Sequence, residues 1–183
     1  IGPVLDEFLQ AGDPYHDGLR LIEVERLWPL LLTLRELDAE RPGFSVATEL
    51  AREAHIGPLS LSVRLDRVDR LDAGGELGID YKTGKFAAGG WERPRVAGRQ
   101  LPLYAVSGGC NGVAVVEFRP PAVRLRGVGV DGLDISGMKV PSVFFRESGL
   151  DWTGTLARWQ AQLERLAREF SAGDFRVDPA DRK

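Results

Sequence analysis

The segment Arg64-Leu65-Asp66-Arg67-Val68-Asp69-Arg70-Leu71, followed after a short turn by Gly78-Ile79-Asp80-Tyr81-Lys82-Thr83-Gly84, decides how this chain is read. Leading into it, Leu59, Leu61, Val63 and Leu65 alternate with Ser60, Ser62, Arg64 and Asp66, the period of a strand with one apolar face. Asp72-Ala73-Gly74-Gly75 has hairpin-turn chemistry, and Leu77 to Tyr81 is the returning strand. Side chains alternate across a strand, so Asp80 and Lys82 share one face while Ile79 and Tyr81 take the other. A turn at Ala73-Gly74 sets residue 66 opposite roughly residue 81, which brings Asp66 within reach of both Asp80 and Lys82. Asp69 is the rival for that place. It lies an odd number of positions from Asp66, so only one of the two faces Asp80 in a regular strand, and a β-bulge would exchange them. The turn centre favours Asp66 and leaves Asp69 as an ion-pair partner for a neighbouring arginine.

That constellation has a chemical use. Two carboxylates with open coordination positions suit Mg²⁺, which keeps several waters and takes other ligands from a phosphate. Such a cation polarises a phosphoryl oxygen and acidifies a bound water, and a nearby lysine orients that water or stabilises charge on the phosphate. The expected reaction is metal-assisted phosphodiester hydrolysis. A surface ion-pair cluster would use the same residue types. Against it, Asp80 follows Leu77-Gly78-Ile79 in a strand that should be buried, where an unpaired charge is expensive.

Outward from the hairpin, the pattern gives an α/β fold with a central mixed sheet flanked by helices. Upstream, Val4 to Gln10 reads as the end of a helix and Ala11 to Gly18 as a loop. Leu21, Val24, Trp28, Leu31, Leu34 and Leu37 form a helical stripe, with Pro29 as a kink or a helix boundary. Downstream, Gly84 to Gly98 is a glycine-rich loop, and Gln100 to Val106 a helix with Pro102 in its first turn. Val113 to Phe118 and Val123 to Val130 are a further strand pair joined through Pro120-Pro121, and Asp131 to Gly149 is irregular. Trp152, Leu156, Trp159, Leu163, Leu166 and Phe170 alternate steps of four and three, an amphipathic helix ending near Gly173.

Composition narrows the function classes. The 183 residues suit one domain with a real core: a helical lead-in over 1–43, a sheet with a crossing helix over 44–130, and a closing helix over 150–173. A start at Ile1 reads as a domain taken from a larger protein. No apolar run approaches a membrane span, and a cytoplasmic location is expected. The 24 Lys+Arg against 27 Asp+Glu argue against a broadly basic nucleic-acid coat but not against a local patch. The basic residues are nearly all arginine, with lysine only at 82, 85, 139 and 183. The single Cys110 rules out a disulfide framework, and an iron–sulfur cluster cannot be built from this chain alone.

Leu65-Asp66-Arg67-Val68-Asp69, then Ile79-Asp80-Tyr81-Lys82-Thr83-Gly84, then Arg99-Gln100-Leu101-Pro102-Leu103-Tyr104-Ala105, resembles the RecB-like or AddB-like branch of the PD-(D/E)XK nucleases. The branch includes the nuclease domains of helicase–nucleases. The resemblance implies a restriction-endonuclease-like core binding Mg²⁺ or Mn²⁺ through Asp66, Asp80 and the backbone carbonyl of Tyr81. It implies Lys82 as the catalytic lysine, Gln100 and Tyr104 as residues bordering the site and contacting substrate, and Glu49 as a further metal-site candidate. Many relatives also carry a histidine on the first helix. Val4 to Gln10 contains none, and His16 and His55 read as surface residues.

DNA is the expected partner, gripped by Arg93, Arg95 and Arg99 around the loop after Lys82, with Phe86 and Trp91 placed to stack on a base or to tuck into the core. The arginines of the closing helix read as its solvated face. The resulting expectation is a DNA exonuclease of repair or recombination, working beside a helicase domain or subunit. Its competitors are a degenerate nuclease fold that binds DNA or a helicase without cutting, and a plain interaction module.

Overall fold

The computed structural model describes residues 14–93, 98–145 and 149–174. The helix expected at Val4 to Gln10, the side chain of His16, and Arg95 lie outside the described residues. Six strands form one sheet in chain order: β1 (Phe44–Ile56), β2 (Leu59–Leu71), β3 (Glu76–Lys82), β4 (Cys110–Arg119), β5 (Ala122–Gly129) and β6 (Met138–Lys139). Pairing is antiparallel from β1 to β3, parallel between β3 and β4, antiparallel between β4 and β5, and parallel between β5 and β6. The sheet is therefore mixed. Its one long crossover, between β3 and β4, carries the glycine-rich loop and α2 (Gln100–Val106).

Helices cover both faces. On one face, α1 (Pro14–Ala39) lays Leu30, Leu34 and Leu37 against Leu77, Ile79, Ala114, Val116, Val123 and Leu125. On the other, α2 and α4 (Trp152–Ser171) bring Tyr104, Leu101, Trp152 and Trp159 onto Val68, Val113, Val115 and Val128. Gly78 makes this second contact possible. A β-carbon there would stand 2.9 Å from the end of the Leu65 side chain and 3.3 Å from the Tyr104 ring, so a larger residue would push on both and glycine lets α2 sit this close to β3.

Several elements depart from the expectation. The first helix begins at Pro14, inside the stretch read as a loop, and continues through Pro29 without a boundary. Proline removes one helical hydrogen bond, and the burial of Leu30 and Leu34 on the sheet outweighs that loss. β1 is a strand that alternation does not announce, because most of its residues are exposed or half-buried until Ala54. The stretch read as irregular contains β6 and the single-turn α3 (Pro141–Phe144). The hairpin, α2, the β4–β5 pair and α4 fall where the sequence puts them.

Candidate active site

The β2–β3 ladder pairs Val68 with Gly78 and Arg67 with Ile79. Continued one step, this register sets Asp66 against Asp80, one residue from the position expected. The backbone ladder opens there, and the Asp66 carboxylate takes over: Oδ2 accepts a hydrogen bond from the Tyr81 backbone N–H at 3.1 Å. The β1 side is also interrupted. Thr48 pairs with Arg67 and Leu50 with Leu65, while Glu49 between them adopts φ +53°, the left-handed region. Opposite this break β2 turns over, so that Leu65 and Val68, three apart, both pack into the α2–α4 side of the core. Asp66 sits at the turnover and reaches sideways to β3.

Asp80 is 3% exposed, the last buried residue of β3 before half-buried Tyr81 and exposed Lys82. The Lys82 ammonium lies 2.7 Å from Asp80 Oδ2. That contact is at ion-pair distance, but no donor is aligned to hydrogen-bond this oxygen, which is buried. A buried carboxylate whose one partner is a half-exposed ammonium is only partly compensated and is well suited to a cation. Lys82 itself is half in solvent, its side chain 51% exposed.

A further acid on the same face escaped the sequence reading. Parallel pairing sets Glu117 of β4 beside Lys82, and Glu117 is buried. Its Oε1 accepts from the Phe86 N–H, and its Oε2 is 4.0 Å from Arg126 of β5. The signal was a lone glutamate ending the otherwise apolar run Val113 to Val116. Glu117 thereby holds the start of the glycine-rich loop beside the Asp80–Lys82 pair.

The remaining candidates are distributed more widely. Gln100 Nε2 donates to the Arg64 carbonyl at 2.9 Å, which fastens α2 two residues from Asp66. Tyr104 is fully buried, and its hydroxyl donates to Glu76 Oε2 at 3.3 Å. Glu76 opens β3, four residues before Asp80, so the hydroxyl points to an end of the strand about 13 Å from the carboxylates. Glu49 is exposed and paired with Arg64 at 2.8 Å. Arg99 lines a cleft between the β1–β2 turn and the end of α4 rather than the carboxylate pair. The Arg93 carbonyl accepts from Gln162 Nε2 at 3.1 Å. Trp91 is 2% exposed and packs on Phe86, Phe144 and Trp159, so the loop offers no free tryptophan for base stacking. Arg158, read as solvated, donates to the Glu92 carbonyl. Asp69 is fully buried between Arg67, at 2.6 Å, and Arg41, at 2.7 Å.

These residues fit a divalent cation. Asp66 and Asp80 supply hard oxygen ligands from adjacent strands, and the Tyr81 carbonyl lies on the same strand end as Asp80. Among the described residues no group of three or more His, Cys, Asp or Glu side chains is gathered for a metal. No helix of the described residues is long and apolar enough to cross a membrane.

No curated protein matches the chain. The solved structure titled "Crystal structure of SSO0001" is similar at 16% identity and a TM-score of 0.42, over 91% of this chain and 71% of that one. The sequence profile of the PD-(D/E)XK nuclease superfamily matches residues 4–182. Since that match spans nearly the whole sequence, the chain belongs to the PD-(D/E)XK nuclease superfamily.

Proposed function

We propose that this chain hydrolyses DNA phosphodiesters with Mg²⁺ or Mn²⁺. Within the superfamily we place it in the RecB-like branch, as an exonuclease of repair or recombination acting beside a helicase domain or subunit. Nucleases of this superfamily generally use divalent metals. The observation that carries the reading is the buried Asp80 carboxylate, in contact with the Lys82 ammonium at 2.7 Å and set across from Asp66 by the strand register.

Asp66, Asp80 and the Tyr81 carbonyl would hold the cation, which would supply Lewis acidity toward a phosphoryl oxygen and a water. The chain's own groups do the rest. Lys82 exchanges its contact with Asp80 for the reacting phosphate, orienting the water and stabilising charge as it builds. The water oxygen bonds to phosphorus and gives up a proton to solvent, the bond to the leaving sugar oxygen breaks, and that oxygen takes up a proton from solvent. Gln100 keeps α2 fixed beside Asp66, while Tyr104 serves as packing beneath the sheet.

The test compares the parent chain with Asp80→Asn on labelled single- and double-stranded DNA. Cutting should require Mg²⁺ or Mn²⁺ and fall at least about a hundredfold in the variant, the size of effect seen on losing one electrostatic contact in an active site. Metal should also raise the melting temperature of the parent chain and not of the variant, because a ligand that binds only the folded state stabilises it. Without metal the variant should melt no lower than the parent, since the charge it removes is buried while the partner it leaves, Lys82, is half in solvent. Absence of cutting under both metals would overturn hydrolysis and leave a binding module.

A further inference from the structure

Beyond the carboxylate pair, the same sheet face continues across β4 and β5. Register pairing places Lys82 of β3, Glu117 of β4 and Arg124 of β5 in one row. The inter-strand spacing of about 4.8 Å sets Arg124 roughly 10 Å from Lys82 at the backbone. A cleft of about 350 Å³ opens there, lined by Glu117, Arg119, Pro120, Pro121, Ala122 and Arg124. Arg119 and Arg124 are both exposed. Among the described residues neither has an acidic partner, in contrast to Arg26, Arg41, Arg52, Arg64 and Arg67, each of which is paired. Lys85 is likewise exposed and unpaired among the described residues. It is brought to this corner because the N–H of the next residue, Phe86, donates to Glu117.

The acid in the cleft does not cancel these charges. Glu117 is buried, its carboxylate taken by the Phe86 N–H on one side and approached by Arg126 on the other. What faces solvent is therefore cationic, in a protein whose net charge is −3. Exposed arginines left unpaired in an acid-rich chain, beside a phosphate-cleaving centre, match an anion with several phosphates better than a single one.

We infer that the β4–β5 corner, through Arg119 and Arg124 with Lys85 beside them, is a binding subsite for the phosphate backbone of the substrate strand next to the bond being cut. This rests on the nuclease reading and adds a direction to it: the strand leaves the centre over β4 and β5. The arginines expected to do this, Arg93 and Arg99, lie along the opposite flank by α2 and α4. Arg119 and Arg124 bind and orient; they do not touch the reacting atoms.

The test uses an Arg119→Gln/Arg124→Gln double variant, with Arg119→Lys/Arg124→Lys as the charge-keeping control. Binding of a fluorescent single-stranded oligodeoxynucleotide is measured across a salt series without divalent metal, and hydrolysis of the small diester bis(p-nitrophenyl) phosphate is measured with Mn²⁺. The Gln variant should bind at least about tenfold more weakly at low salt. Its slope of log affinity against log salt should shrink by about 1.4, two contacts at ~0.7 each on a single strand. The Lys variant should keep most of both, and small-diester hydrolysis should stay unchanged in all three proteins. A Gln variant with parental affinity and slope, in a parent that cuts DNA, overturns the subsite and leaves the nuclease reading standing. Equal loss of small-diester hydrolysis also overturns it, because the arginines would then support the fold. A parent that neither binds nor cuts DNA removes both readings together.

Discussion

Cys110 shows how far single residues here are governed by burial. Its thiol lies on the first residue of β4, 6% exposed, donating to the Gly112 carbonyl at 3.0 Å. Burial disfavours the thiolate and pushes its pKa up to about 11, with the Glu76 carboxylate acting the same way and Arg52 opposing it. Burial pushes the Tyr104 hydroxyl up as well, to about 12. A group whose folded pKa is raised binds its proton more tightly in the folded state. The stability it contributes is whole below the unfolded pKa and disappears as pH rises through the folded one. Stability should therefore fall between pH 9 and 11 by an amount on the order of 2 kcal/mol for Cys110, with Tyr104 extending the decline above pH 10. Urea unfolding from pH 7 to 11 should show this slope, and Cys110→Ala should flatten its lower half. A variant as steep as the parent would assign the alkaline loss elsewhere. The proposed catalytic residues were readable for the opposite reason. Asp80 is a charge where the strand pattern demands burial, a violation that marks chemistry, and Asp66 and Lys82 follow from their places opposite and beside it in the hairpin. Glu117 carried the same mark but needed the β3–β4 register to connect it to Lys82.

Between elements, the join of α1 to the sheet is electrostatic as well as apolar. Arg67 donates to Asp69 at 2.6 and 3.0 Å and to Asp38 of α1 at 2.7 Å, while Arg41 reaches Asp38 at 2.9 Å and Asp69 at 2.7 Å. Both arginines stand over the Phe44 ring, at 4.2 and 5.4 Å. Burial works against the Arg67 charge, but its hydrogen bonds to Asp38 and Asp69 more than offset that and hold its pKa above the ordinary value. Asp69→Ala would leave two buried guanidinium groups short of their shared partner, which costs about 3–5 kcal/mol. Urea denaturation should show a loss of that size, and the residual folded protein should still cut DNA, since Asp69 faces away from Asp80. Loss of cutting without loss of stability would instead make Asp69 a site residue. This network was only half legible. The sequence marks Asp69 as an ion-pair partner, but Asp38 and Arg41 sit at a helix end whose docking depends on tertiary contacts. β1 was hidden for a related reason. Exposed for much of its length, it lacks alternation, and its pairing with β2 is set by the hairpin. α4 was plain because one apolar stripe covers its whole buried face.

At the scale of the whole molecule, charge decides how a nucleic acid can be held. A net charge of −3 gives a field that does not draw a polyanion in, so binding must come from local contacts. The groups that face the proposed track are Lys82 and Lys85 on and after β3, and Arg119 and Arg124 at the β4–β5 corner. Each phosphate neutralised on a single strand releases about 0.7 of a counterion, so four contacts give a slope of log affinity against log salt near −3. A protein coated in basic groups would give a far steeper one, and a protein recognising only bases a slope near zero. We expect the parent chain, measured without divalent metal on a single-stranded oligodeoxynucleotide, to fall between roughly −2 and −4. Lys85→Gln alone should reduce the slope by about 0.7 while leaving the melting temperature unchanged, because its side chain is exposed and unpaired among the described residues. A parental slope steeper than about −6 would mean that contacts outside this corner dominate, and the short cationic track would then be the wrong account of how an acidic nuclease holds its substrate.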